Sequence, residues 1–157
     1  MPVTIHRQDR GYLLECELLL LRPAEEVFGF FADATNLEAI TPPQLRFEIL
    51  TPLPIEMSKG AIIDQRLRLH GIPLRWRSEI TAWEPHQRFV DEQRRGPYRW
   101  WIHEHTFEET DDGTLARDRV QYGVPGGAMV NALLVARDLR RIFDYRSRAL
   151  RGIFPVE

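Results

Sequence analysis

Alternating apolar and polar positions dominate the start of the chain. Across residues 12–21 the even-numbered positions form an unbroken row of large or apolar side chains: Tyr12, Leu14, Cys16, Leu18 and Leu20. Successive side chains of a strand point to opposite faces of a sheet. The pattern therefore predicts a strand whose even-numbered positions face inward.

Two short helices are predicted next. Pro23 suits the first turn of a helix, where the missing amide hydrogen costs nothing, and Glu25 and Glu26 follow near the positive end of the helix dipole. The buried stripe of this first short helix would consist of Val27, Phe28 and Phe31. A second short helix fits residues 36–40.

The remaining pattern predicts a run of strands and then one long helix. From about Phe47 onward the apolar period is two, with turn residues between the runs, which indicates five or six antiparallel strands with one apolar and one charged face. Residues 128–151 contain no internal Gly or Pro and carry apolar residues at helical spacing. The predicted buried stripe of this long helix is Met129, Leu133, Ala136, Leu139, Ile142, Phe143 and Leu150.

This order of elements predicts an α+β fold. Only the C-terminal helix is long enough to cover the inner sheet face, so we expect a curved antiparallel sheet wrapped around that helix, with the two short helices after the first strand. Such a wrap can leave a cavity between helix and sheet. The 157 residues fit a single domain, 1–157.

Composition narrows the function classes. A net charge of -2 argues against a nucleic-acid partner, and the six arginines between residues 137 and 151 are expected on a solvated outer face of the helix. The single Cys16 excludes an internal disulfide. No apolar run approaches the roughly 20 residues that span a bilayer, and the first residues lack the apolar core of a signal peptide. We therefore expect no membrane insertion and a cytoplasmic location.

Several short motifs resemble a known superfamily. They are Thr41-Pro42-Pro43, His70-Gly71-Ile72-Pro73, Trp83-Glu84-Pro85, the run from Arg88 to Gln93, Gly96-Pro97-Tyr98 and His103-x-His105-x-Phe107. With the order of elements, they are similar to the helix-grip superfamily of START domains, birch-pollen-type allergens and polyketide cyclases, and within it to bacterial SRPBCC-domain proteins described as ligand-binding. The resemblance implies a hydrophobic or amphipathic ligand in a central cavity and no shared catalytic signature.

The most informative segment is residues 96–107. Strand alternation would line Trp101, His103, His105 and Phe107 along one face, where imidazoles need hydrogen-bond partners. A two-residue turn at Asp112-Gly113 is the expected hairpin connection to the next strand. It would place Phe107 opposite Asp118, His105 opposite Val120, and His103 opposite Tyr122. We therefore predict that His105 pairs with Asp118 and that His103 pairs with Tyr122.

The strand before Gly96 completes the predicted site. A three-residue turn or a bulge at Gly96-Pro97 would turn Asp91 and Gln93 inward together with Phe89. The candidate ligand-binding residues are then Trp76, Asp91, Gln93, Trp101, His103, His105, Asp118, Tyr122 and Phe143. The two histidines resemble a metal-binding pair for which Asp91 or Asp118 would be the third ligand, but their i, i+2 spacing is weak evidence, so we predict neither a metal nor a cofactor.

Three functions fit this site. The first is a carrier, sensor or sequestering protein that binds a small hydrophobic or aromatic molecule. The second is a cofactor-independent cyclase or dehydratase in which His105 acts as base or acid and Asp118 orients it. The third is an interaction module with a vestigial cavity, whose partner is a protein or a second copy of the chain. A purely structural His-Asp network remains compatible with the same residues.

Overall fold

The computed structural model describes residues 3–155, and their strands form one antiparallel sheet. The strands are β1 (Thr4–Arg7), β2 (Tyr12–Leu20), β3 (Glu48–Ile49), β4 (Ile62–Leu69), β5 (Ile72–Glu84), β6 (Arg88–Arg95), β7 (Trp100–Thr110) and β8 (Gly113–Gly123). They are ordered β1-β2-β8-β7-β6-β5-β4-β3 across the sheet. The predicted meander therefore runs from β3 to β8, and β2 joins it beside β8.

The helices lie where the sequence places them. Helix α1 covers Ala24–Phe31 directly after Pro23, and the second short helix is a 3-10 helix over Ala34–Ile40. A further 3-10 turn covers Pro43–Leu45. At the C-terminal end, α2 (Gly127–Val130) and α3 (Ala136–Ile153) are joined by a π-helical turn over Asn131–Val135.

Helix α3 covers the inner face of the sheet. Leu139, Phe143 and Leu150 are buried on its inner side, and the even positions Leu14, Cys16, Leu18 and Leu20 of β2 are buried opposite. Two apolar clusters form the core, one around α1 and the end of α3, the other around β8 and the middle of α3. The predicted fold class, a curved sheet around a long C-terminal helix, is confirmed. None of the helices between residues 3 and 155 is long and apolar enough to cross a membrane.

The start of the long helix differs from the prediction. Met129 and Leu133 were expected in the buried stripe, yet they are 73% and 62% exposed. The cause is the π turn, in which the amide of Ala136 bonds to the carbonyl of Asn131, five residues earlier. One extra residue in this turn rotates the residues before it relative to α3. The apolar spacing from Ala136 onward is correct, and the spacing across the turn is not.

Strand β1 was not predicted. It pairs with the first half of β2, Thr4 with Glu15 and Arg7 with Tyr12, at the edge of the sheet. Its four residues are mostly exposed, so they lack the apolar alternation that reveals a half-buried strand. Gly11 closes this hairpin with a φ of 76°, and a Cβ there would collide with the backbone oxygen of Tyr122 and the ring of Trp100.

Replacing Gly11 should therefore destabilise the fold. In Gly11→Ala the alanine must adopt a left-handed backbone conformation, and its Cβ collides with β8. We expect this variant to lower the free energy of unfolding by about 2 to 3 kcal/mol. Gly29→Ala is the matched control, because Gly29 lies exposed in α1 with open space around its Cα. That variant should gain about 0.5 to 1 kcal/mol from helix propensity. Urea unfolding measures both, and equal effects would contradict this account of the hairpin.

Candidate functional site

Strand β7 carries the aromatic and imidazole side chains on the inner face of the sheet. Trp101, His103, His105 and Phe107 are all buried, and the two histidines are 6% and 4% exposed. Both imidazoles thus lie beneath α3 and not on the solvent face. Both therefore need hydrogen-bond partners, either from the protein or from a molecule beside them.

The register between β7 and β8 differs from the predicted one by two residues. His105 lies opposite Asp118, His103 opposite Val120, and Trp101 opposite Tyr122. The hairpin turn is Asp111-Asp112, and Gly113 already pairs with Thr110. Gly113 is needed for a different reason, since a Cβ there would collide with the backbone oxygen of Leu20 in the neighbouring strand β2. A shift of two residues keeps every side chain on its predicted face.

Strand β6 brings Asp91 to the same face. Asp91 lies opposite His103 and Phe89 opposite His105, as the prediction of a longer turn at Gly96-Pro97 requires. Gln93 has another role. Its amide nitrogen donates to the carbonyl of Tyr98 at 2.8 Å, and its amide oxygen accepts from the backbone of Tyr98 at 3.1 Å. Gln93 therefore fastens the β6–β7 loop and does not join the polar cluster.

The two histidines are paired with carboxylates in an arrangement that the predicted register does not give. Nε2 of His103 donates to Oδ1 of Asp118 at 2.7 Å, and Nε2 of His105 donates to Oδ2 of Asp91 at 2.6 Å. Asp118 also lies 3.4 Å from Nδ1 of His105, so the predicted His105 and Asp118 contact exists as the longer one. The predicted pair of His103 and Tyr122 is wrong. The hydroxyl of Tyr122 donates to Asn131 at 2.9 Å.

Arg146 is the member of the site that sequence reasoning missed. It was expected on the outer face of the helix, but its side chain is only 11% exposed. Its Nη2 lies 3.2 Å from Oδ1 of Asp118 and 3.3 Å from Nδ1 of His105. The guanidinium also packs 5.2 Å from the ring centroid of Phe31. The signal was its spacing, since Arg146 follows the buried Phe143 by three residues and precedes Leu150 by four.

The imidazoles form part of a stack of rings. The ring centroids of His103 and His105 are 3.6 Å apart with an interplanar angle of 22°, and Phe89 stacks on the other face of His105 at 4.0 Å. Trp101 meets His103 edge-on at 6.1 Å. The stack fixes the ring planes, so the hydrogen bonds at the ring edges are held in one geometry.

The pKa values of the two histidines shift in opposite directions. Burial and the neighbouring charge of His105 lower the pKa of His103. Burial would also lower the pKa of His105, but its hydrogen bonds to Asp118 and Asp91 outweigh burial and raise it. The site therefore favours one neutral and one protonated imidazole.

Both carboxyl groups are held in their charged form. Burial would raise the pKa of Asp118, but the charge of Arg146 and the hydrogen bond from His103 hold it well below its usual value. Burial likewise opposes ionisation of Asp91, and the hydrogen bond from His105 lowers its pKa in spite of this. With His105 protonated, two carboxylates face two cations, and the buried charges balance.

A cavity of about 200 Å³ lies against this cluster, between α3 and the sheet. Asp91, His103, His105 and Arg146 form its polar part, and most of the remaining wall is apolar or aromatic. Of the other predicted site residues, Trp76, Trp101 and Phe143 also line the cavity. Asp118, Tyr122 and Gln93 are not among the residues that line it.

Three potential metal ligands come close together here. One ligand atom each from Asp91, His103 and His105 lies within 4.8 Å of the others. A metal ion must lie near the plane of each imidazole that binds it, and nearly parallel rings 3.6 Å apart do not direct their nitrogens to one point. Arg146 adds a cation beside His105. One ring would have to rotate out of the stack before these residues could hold a metal.

The charge balance makes stability depend on Asp118. Asp118→Asn leaves the charge of Arg146 buried without its counterion, and we expect the free energy of unfolding at pH 7 to fall by about 3 kcal/mol. The folded-state pKa of Asp118 is depressed, so its contribution is present above about pH 4 and is lost as the pH falls towards that lower folded-state value.

The loss from Asp118→Asn should therefore shrink in acid. Urea unfolding at pH 7 and at about pH 2.5 measures the difference. Asp112→Asn, in the exposed β7–β8 turn, is the control and should change stability by less than about 0.5 kcal/mol at either pH. A constant difference between wild type and Asp118→Asn across this range would show that the carboxylate charge does not stabilise the cluster.

Solved structures share this fold at low sequence identity. Protein CV1439 from Chromobacterium violaceum superposes with a TM-score of 0.73 at 14% identity, over 92% of this chain and 99% of that one. Ara h 8.0201 gives a TM-score of 0.67 at 14% identity, covering 96% and 98%. Major latex-like protein 151 from Panax ginseng gives 0.67 at 10% identity, covering 92% and 97%. These similarities confirm the helix-grip fold.

Sequence comparison identifies the family. No curated protein matches the chain. The model of the family described as "Polyketide cyclase / dehydrase and lipid transport" matches residues 21–149, from directly after β2 to the last turns of α3. The match therefore spans most of the elements that enclose the cavity. The chain belongs to this polyketide cyclase and lipid transport family, within the SRPBCC superfamily that its motifs predicted.

Proposed function

We propose that the protein binds a small hydrophobic or aromatic molecule in the cavity between α3 and the sheet. The observation that carries this proposal is the placement of a charged cluster at one part of an apolar cavity wall. Asp91, His103, His105 and Arg146 all line the space, and aromatic rings line much of the rest. Small-molecule sites commonly combine apolar walls with a few fixed polar groups.

The cavity supports a ligand role over a purely structural network. Buried charges are costly, and replacing an ion network by apolar side chains often leaves stability unchanged or improves it. A cluster that only fixed strand register would need no open space beside it. Here four of its five members, all except Asp118, border a cavity that side chains leave unfilled.

The cavity volume limits the size of a ligand that can fit. About 200 Å³ is smaller than the roughly 300 to 1,000 Å³ of sites for drug-sized molecules, which favours a compact ligand of one or two rings. Covering such a ring with apolar wall contributes a few kcal/mol at about 25 cal/mol per Å². The polar cluster would then orient the ligand and select among molecules of similar size.

A filled cavity should prevent binding. Leu67 lies on the inner face of β4 and lines the cavity, whereas Ile62 of the same strand is exposed on the outer face. We expect small aromatic compounds to raise the melting temperature of the wild type and of Ile62→Trp, but not that of Leu67→Trp, because the indole occupies the site. Differential scanning fluorimetry and native mass spectrometry measure the two effects. Equal responses from both variants would place binding outside the cavity.

Catalysis is the second candidate, and the hydrogen bond between His103 and Asp118 favours it. A carboxylate that binds one imidazole nitrogen fixes the tautomer and leaves the other nitrogen to accept a proton, as in general-base catalysis. The predicted base was His105, but His105 contacts Asp91 and Asp118 at its two nitrogens. The His103–Asp118 hydrogen bond therefore supports His103 as the base of this second candidate, with Asp118 orienting it.

This second candidate has its own test. In the dehydration of an aromatic β-hydroxy ketone, His103 would remove the proton next to the carbonyl and then return a proton to the leaving hydroxyl, which departs as water. We expect His103→Gln to lower the rate of enone formation at least about 100-fold, the usual share of a general base, while the compound still binds. Ultraviolet absorbance follows the product. A wild-type rate no higher than that of the buffer would refute catalysis and leave the binding proposal intact.

A further inference from the structure

The two histidines differ in what their second nitrogen contacts. His105 donates from Nε2 to Asp91 at 2.6 Å, and its Nδ1 lies 3.4 Å from Asp118 and 3.3 Å from Arg146. Both of its nitrogens therefore have polar neighbours within the protein. His105 has no nitrogen left for a ligand while these contacts hold.

His103 is engaged at one nitrogen only. Its Nε2 lies 2.7 Å from Asp118, whose carboxylate also accepts from Arg146 and can only accept. The proton of His103 must therefore be on Nε2. In the neutral imidazole, Nδ1 then carries a lone pair and needs a donor.

Nothing among residues 3–155 donates to this lone pair. Oδ2 of Asp91 lies 3.9 Å from Nδ1 of His103, but a carboxylate oxygen is an acceptor as well. His103 lines the cavity, so the donor to Nδ1 must be a molecule there, either water or a ligand. A ligand that displaces water from Nδ1 without donating a hydrogen bond of its own would lose affinity.

We infer that the ligand carries a hydroxyl group, phenolic or enolic, that donates to Nδ1 of His103 while its apolar body fills the cavity. This inference rests on the proposed binding function and adds the chemical class of the ligand. Arg146 lines the same cavity and could donate to the same hydroxyl oxygen, because its two contacts in the cluster, to Asp118 and His105, both use Nη2. A hydroxyl serves both residues, since it donates and accepts at one oxygen.

A pair of matched probes tests this inference. 1-Naphthol and 1-methoxynaphthalene share the ring system, but only the first can donate. We expect wild-type protein to bind 1-naphthol about tenfold more tightly in isothermal titration calorimetry. In His103→Phe, which keeps an aromatic ring next to His105 and removes the acceptor, the two affinities should become equal within about twofold.

Tyr98→Phe is the control. It removes a polar group from the cavity lining but leaves Nδ1 of His103 in place, so the tenfold preference should be unchanged. If Tyr98→Phe removes the preference and His103→Phe does not, the inference is wrong. If both probes bind the wild type equally, the inference fails and the proposed binding function stands. If neither probe binds, the proposed function fails for aromatic ligands and the inference fails with it.

A second measurement does not depend on either variant folding. Nitrogen-resolved NMR of the wild-type histidines should show the proton of His103 on Nε2 and a bare Nδ1, and 1-naphthol should shift the Nδ1 resonance towards the hydrogen-bonded range. A proton on Nδ1 of His103, or an Nδ1 resonance that bound 1-naphthol leaves unchanged, would overturn the inference.

Discussion

The oxygen Oδ1 of Asp118 is approached from three sides, by His103 at 2.7 Å, by Arg146 at 3.2 Å and by His105 at 3.4 Å. These groups come from β7 and α3, and the carboxylate itself belongs to β8. One oxygen thus joins the middle of the sheet to the helix that covers it. Because all four groups are buried, their attraction is screened far less than it would be at the surface. This contact therefore ties α3 to the sheet beside the cavity.

The faces of the strands could be predicted from the sequence, and the pairing of their residues could not. Alternation with a period of two placed His103, His105 and Asp118 on the inner face, and that assignment holds for any register that shifts by an even number of residues. Choosing the register requires the turn. The Asp112-Gly113 pair is a strong turn signal, yet Gly113 is explained by the close approach of Leu20 in β2. A contact between strands that are distant in sequence leaves no mark in the hairpin itself.

For the C-terminal helix, the element could be predicted, but the faces of some of its side chains could not. Its length and amphipathic character were clear, but three residues on it, Met129, Leu133 and Arg146, were misplaced for two physical reasons. Leu133 is exposed because a π turn changes the phase of the helix, and the sequence between Asn131 and Val135 contains no Gly or Pro to indicate it. Arg146 was assigned to solvent because of its charge, although its spacing from Phe143 and Leu150 puts it on the buried stripe. Charge is a poor guide to burial when opposite charges lie on the facing strand, and Asp118 supplies them here.

The balance of charge in the cluster also limits what the cavity can accept. The raised pKa of His105 and the lowered pKa of His103 favour one protonated imidazole, which together with Arg146 offsets Asp91 and Asp118, so an occupant without net charge leaves the balance intact. A carboxylate next to His103 would lie near the carboxylate of Asp91, which is 3.9 Å from Nδ1, and would add a third negative charge to a buried site. A cationic ligand would meet Arg146 and protonated His105. If the proposed ligand binds here, the same residues that fasten α3 to the sheet favour a neutral molecule, and the bare nitrogen of His103 favours one that donates a hydrogen bond.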